Sequence, residues 1–196
     1  MSVSYPQWHT LKTNLVTIFE DVATAEAAID PGRDFEVVKD RWRPWVEKQQ
    51  GKALLNIMVD TVQQQGAGSM RHLGFAVTVN LDMYALGNYQ EQAGLFTPAD
   101  EVAANRLDLL VAQVLYGLTR LENYDLGFAG GQIGANAKNL SLMMYSHERE
   151  EATGQYAPAR WAFEVTLPYD PEDSAAGTLA DLNVDLGEFA ARYTYP

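Results

Sequence analysis

ALLNIMVDTVQQQ (residues 53–65) and MRHLGFAVTVNLDMYAL (residues 70–86) stand on either side of Gly66, Ala67, Gly68 and Ser69, and the reading of this pair decides the fold. In the second run Phe75, Val77, Val79, Leu81 and Met83 alternate with Ala76, Thr78, Asn80 and Asp82. A period of two puts the first set on a buried sheet face and the second on a wetter one. Residues 53–62 alone would also suit a helix, but Ile57, Val59, Thr61 and Val62 are stiff, β-branched side chains that favour a strand. Two such runs around a glycine-bearing turn predict a β-hairpin.

Upstream, Trp8, Leu11, Leu15, Ile18, Phe19 and Val22 recur at steps of three and four, which predicts an amphipathic helix over residues 6–24. Ser4 and Pro6 occupy cap and first-turn positions, and Asp30, Pro31 and Gly32 supply the turn that follows. FEVVKDRWRPWVEKQQ (35–50) reads as an irregular connector, since Pro44 interrupts any helix between Trp42 and Trp45. Its Lys39, Arg41, Arg43 and Lys48 form a local basic cluster, read as a solvated face.

Downstream of the loop GNYQEQAGLF (87–96), Thr97, Pro98, Asp100 and Glu101 make a helix start in which the acids complement the helix dipole. Ala103, Leu107, Leu110, Val111, Val114, Leu115, Leu118 and Leu121 then form one wide apolar stripe. The predicted helix, 98–121, would be roughly 36 Å long and lie along a sheet face. A glycine-rich connection, LGFAGGQIGANA (126–137), leads to a second hairpin, LSLMMYSHERE (140–150) and ARWAFEVTLPY (159–169), closed by EATGQYAP (151–158) and stopped at Pro168. The end, DPEDSAAGTLADLNVDLGEFAARYTYP (170–196), opens as an acidic linker. Its Leu182, Val184, Leu186, Phe189, Tyr193 and Tyr195 are too apolar for a solvated tail, so 171–196 reads as an arm that docks on its own domain, 1–170, or on a neighbouring subunit.

The composition narrows the function. The chain has 196 residues, 47% hydrophobic, with a formal net charge of −12. That is enough apolar mass for one folded domain, and the charge repels a phosphate backbone, so tight nucleic-acid binding is not expected. With no cysteine there is no disulfide, thiolate metal site or cysteine nucleophile. The opening residues lack the apolar core of a signal peptide and no run suits a membrane span, which predicts a soluble intracellular protein with no membrane partner.

Chemistry-bearing motifs are sparse. GFAGGQIG (127–134) follows a helix and precedes a strand, the reverse of a dinucleotide loop, and lacks the Lys-Ser pair of a P-loop. Its Gly130 and Gly131, with Gly66 and Gly68, read as tightly turned connections whose loops face partners, and Glu150 and Glu151 as solubilising acids in such a loop. The three histidines, His9, His72 and His147, fall on separate predicted elements without ligand spacing. No serine sits in a nucleophile elbow. No catalytic residue, cofactor or metal is expected.

QWHTLKTNLVTIFEDV (7–22), ALLNIMVDTVQ (53–63) with LGFAVTVNLDMYAL (73–86), ADEVAANRLDLLVAQVLYGLTRL (99–121) and RWAFEVTLPYD (160–170) follow one another as helix, hairpin, long helix, glycine-containing loop and second hairpin. This order resembles the tail terminator and minor tail proteins of tailed bacteriophages, including the Mu-like prophage tail proteins. The resemblance covers about residues 6–170 and rests on element order and texture. It implies a virion structural protein of the phage tail and neck, assembled in the host cytoplasm: a homo-oligomeric ring, typically a hexamer, that caps the tail tube and joins it to the head-completion proteins while DNA passes through. A head-tail connector or stopper is the nearest alternative. From a different class comes a cytoplasmic ligand-binding domain or enzyme using the loop from Gly127 to Gly134 with Asn136 and His147. The expected fold is α+β: a mostly antiparallel four-stranded sheet from two hairpins, with the two main helices packed on one face.

Overall fold

The computed structural model describes residues 6–41, 52–65, 73–88, 90–92, 95–128, 138–144 and 155–169. In chain order the elements are α1 (Gln7–Ile29), β1 (Phe35–Lys39), β2 (Ala53–Gln65), β3 (Leu73–Gly87), β4 (Gln90–Gln92), β5 (Leu95–Thr97), α2 (Ala99–Thr119), β6 (Lys138–Met144) and β7 (Gln155–Tyr169). The architecture is α+β, with a mixed five-stranded sheet in the order β1-β2-β3-β7-β6 and a separate two-stranded pair, β4-β5.

Both anticipated hairpins are present, and they join through β3 and β7, which pair antiparallel along their whole lengths, from Leu73 opposite Tyr169 to Gly87 opposite Gln155. Two strands of 15 residues each put the longest ladder at the centre of the sheet. β7 begins four residues before the predicted strand, because the backbone of residues 155–158 finds partners along the end of β3, and it runs one residue past Pro168. The supposed connector after residue 35 is a correction: Phe35–Lys39 is a strand, parallel to β2 and in register from Phe35 opposite Ala53 to Lys39 opposite Ile57. Five residues are too few to show a period, so only pairing with β2 makes them a strand. The sheet is therefore five-stranded and mixed, where a mostly antiparallel sheet of four strands was expected; three of its four pairings are antiparallel. At the end of β1, Asp40 takes a left-handed conformation (φ 57°). Its carboxylate accepts hydrogen bonds from the Lys12 ammonium at 2.7 and 2.6 Å, which fixes the exit of the strand to α1.

α1 runs five residues beyond Thr24, since Ala25–Ile29 contains no breaker and only Asp30 and Pro31 stop it. Pro6 occupies the cap position itself, just outside the helix, and makes no side-chain cap bond. α2 likewise starts after Pro98, with Asp100 and Glu101 in its first turn, while Thr97 belongs to β5.

Both helices cover one face of the sheet. Leu11, Leu15, Phe19 and Val22 of α1 and Leu107, Leu110 and Val114 of α2 meet Leu55, Ile57, Val77, Val79, Leu81, Met83, Phe163, Val165 and Leu167, all buried. Side chains of this kind contribute about 1.5–3 kcal/mol each on burial. Trp8 closes one end edge-on to Phe75, with ring centroids 5.7 Å apart. Two glycines set the packing distance. A Cβ on Gly87 would lie 1.7 Å from the Ala99 carbonyl oxygen, and one on Gly117 would lie 2.9 Å from Phe19 Cε1. Glycine is thus what lets β3 touch the start of α2 and α2 touch α1.

Candidate functional site

β6 is an edge strand, paired with β7 and with no other described strand. Leu140, Leu142, Met143 and Met144 are 38, 38, 44 and 53% exposed. In register, Leu142 lies opposite Trp161 and Met144 opposite Ala159, on the helix-bearing face, whereas Met143 lies opposite Arg160 on the other face. The strand therefore shows apolar groups on both sides of its free edge. Such edges are ordinarily blunted by charges or proline because their open backbone recruits further strands. Residues 139–144 carry neither. Their one irregularity is a bulge between Lys138 and Ser141, where Asn139 turns left-handed at φ 59°.

A second apolar surface lies at the end of α2, where Tyr116, Leu121 and Tyr124 are 53, 90 and 59% exposed. Leu121 was expected in the buried stripe. The helix ends at Thr119, so Leu121 falls in a 3-10 turn and leaves the stripe, while Leu115 lies at its border. The Arg120 guanidinium sits over the Tyr116 ring at 5.3 Å, covering part of this surface with a cation. The turn closes through Leu126 (φ 52°) and Gly127 (φ 76°). Asn14 Nδ2 donates to the Leu126 carbonyl at 3.2 Å, so the start of the glycine-rich run is a tight turn held against α1.

Several buried polar groups hold the fold together, while Gln7 Oε1 is buried without a hydrogen-bond partner among the described residues. On the sheet face away from the helices, Arg160 donates to both oxygens of Asp82, Nε at 2.5 Å and Nη2 at 3.1 Å. Asp82 and Asn80, expected on the wetter side, are 4 and 6% exposed. The bidentate pair is what permits the carboxylate to be buried there. Asn56, buried opposite Asp82, exchanges two hydrogen bonds with the Arg41 backbone. Between the helices, Gln113 donates to the Arg33 carbonyl at 2.9 Å and to Glu26, which also binds Arg33. Beside this network Gly32, Asp34, Ala53 and Arg106 border a cavity of about 10 Å³. That is room for one water, far below the several hundred Å³ of a small-molecule site. Among the described residues no three His, Asp or Glu side chains are placed to hold a metal ion, and no helix is long and apolar enough to cross a membrane.

The residues singled out as partner-facing, Gly66, Gly68, Gly130, Gly131, Glu150 and Glu151, lie outside the described residues, as do His72, Asn136, His147 and the arm residues Leu182, Val184, Leu186, Phe189, Tyr193 and Tyr195. Sequence reasoning missed the β6 edge. A signal was there: Leu142, Met143 and Met144 are consecutive apolar residues, which a strand with one wet face does not carry. Comparison with models of known protein families finds no match, and no curated protein matches the chain.

Proposed function

We propose that the chain is a virion structural subunit of the tail-terminator type, which assembles into a ring at the growing end of a phage tail tube, stops its growth and presents a docking face to head-completion proteins. The role is geometric and uses no catalysis or cofactor. The observation that carries this reading is the edge strand β6, which bears no charge from Asn139 to Met144 and leaves Leu140, Leu142, Met143 and Met144 exposed. Exposed apolar residues clustered on one edge mark association surfaces more often than scattered ones do. The order of helix, hairpin, long helix and second hairpin supports the same reading. A formal net charge of −12 suits a subunit past which DNA moves without sticking.

Negative-stain micrographs of the purified protein test this directly, with rings carrying a central hole as the expected result. Added to polymerising tube subunits, the protein is expected to shorten tubes and sit at one end. A strict monomer by analytical ultracentrifugation, both alone and with tube subunits, would refute the proposal. Binding to DNA-filled heads in preference to isolated tubes would make it a connector or stopper instead.

A further inference from the structure

We propose that Met143 and Met144 form a paired site of methionine oxidation, at which peroxide turns the apolar edge of β6 polar while the fold stays intact. Of the described methionines, Met83 is fully buried in the core and Met58 is half-buried on β2, whereas Met143 and Met144 are 44 and 53% exposed. A thioether must be reached before it can react, so peroxide meets this pair first. The step is complete with peroxide alone. A sulfur lone pair attacks one peroxide oxygen, the O–O bond breaks and an S–O bond forms. The sulfur is oxidised by two electrons, and the other oxygen leaves as water.

Position on the sheet decides what the product does. Neighbouring residues of a strand point to opposite faces, so the two sulfoxide oxygens fall one on each face of the edge. Met144 stands opposite Ala159 on the helix-bearing face and Met143 opposite Arg160 on the other. β6 holds to β7 by its backbone ladder, which side-chain oxidation leaves in place, and none of residues 139–144 belongs to the buried core. Met83 is part of that core, so an oxygen added there would disrupt packing instead. At the edge, two polar groups replace two of the four exposed apolar side chains, Leu140, Leu142, Met143 and Met144. One consequence rests on the assembly reading above: an oxidised edge associates more weakly, and reduction of the sulfoxides restores it.

The test treats the full chain briefly with dilute hydrogen peroxide, quenches it and maps the oxidised peptides by mass spectrometry. Beside it runs the double variant Met143→Leu with Met144→Leu, which keeps the apolar volume and cannot be oxidised at these positions. Met143 and Met144 are each expected to gain one oxygen at least about tenfold faster than Met83, with the circular dichroism unchanged. The oxidised parent should elute earlier from a hydrophobic-interaction column, and the treated variant should shift less. Treatment with the two methionine sulfoxide reductases should return the parent to its original position. Oxidation of Met83 as fast as of the pair, loss of the fold when the pair is oxidised, or an equal shift in the variant would each overturn the inference. Sedimentation separates this site from the assembly reading. Oligomers that dissociate on peroxide in the parent and not in the variant support both. Oligomers that survive full oxidation of the pair defeat the effect on association and leave the terminator proposal standing, whereas an untreated chain that is monomeric defeats the terminator proposal and leaves the mapped oxidation site standing.

Discussion

Replacing Arg160 by methionine strips the Asp82 carboxylate of both its hydrogen bonds from the guanidinium, and the cost follows from how little water can replace them. The Asp82 side chain is 6% exposed and that of Arg160 32%. Breaking a fully buried ion pair from one side costs about 3–5 kcal/mol. Here the partly open arginine side lets water approach the vacated carboxylate, so the expected loss is about 2 kcal/mol. In a protein of this size each kcal/mol lowers the melting temperature by about 2–4 °C, giving a drop of roughly 4–8 °C. Removing both charges together, Asp82→Leu with Arg160→Met, leaves neither charge of the pair without the other and should return stability to within about 1 kcal/mol of the parent. Urea unfolding at neutral pH, followed by tryptophan fluorescence for the parent, both single variants and the double, closes the cycle. A coupling energy of about 1–2 kcal/mol is expected. Additivity within about 0.5 kcal/mol would refute the claim that the pair is what makes this carboxylate tolerable inside.

Gly87→Ala places a methyl into the Ala99 carbonyl, backbone against backbone, and is expected to cost more than about 3 kcal/mol or to abolish soluble folding; a stability near the parent in thermal melts would show that β3 and α2 do not approach as described. Gly117→Ala first meets the Phe19 ring and the Val22 methyl, side chains and not backbone, so a smaller loss of about 1–3 kcal/mol is expected, partly recovered when Phe19→Leu is added. The Lys52 ammonium, hydrogen-bonded to Asp34 and attracted by its charge, has its pKa raised above 10.5. Its contribution is therefore complete at neutral pH and is lost only as pH rises through that higher value, and an NMR titration in which Asp34→Asn leaves the Lys52 midpoint unmoved would contradict the pairing.

Both helices and both hairpins were legible in the sequence because their signals are local: steps of three and four in residues 8–22 and 103–114, alternation in residues 75–83 and 161–167, and proline or glycine at the breaks. Local periodicity also assigned Leu11, Phe19, Val79 and Leu107 to the core, where they are buried. Pairing across distant segments could not be read this way. Phe35–Lys39 became a strand only by lying parallel to β2, and the two hairpins became one sheet only through β3 and β7. Asp82 looked solvated until Arg160, 78 residues away, was brought opposite it. Gly87 reads as the first residue of a loop and Gly117 as one more position of the predicted helix, and neither shows its necessity, which is a distance to Ala99 and to Phe19. The outward face of β6 is likewise a property of sheet order. The same residues would be core in a central strand and are exposed because β6 stands last among the described strands, with its leucine and methionine side chains at the edge.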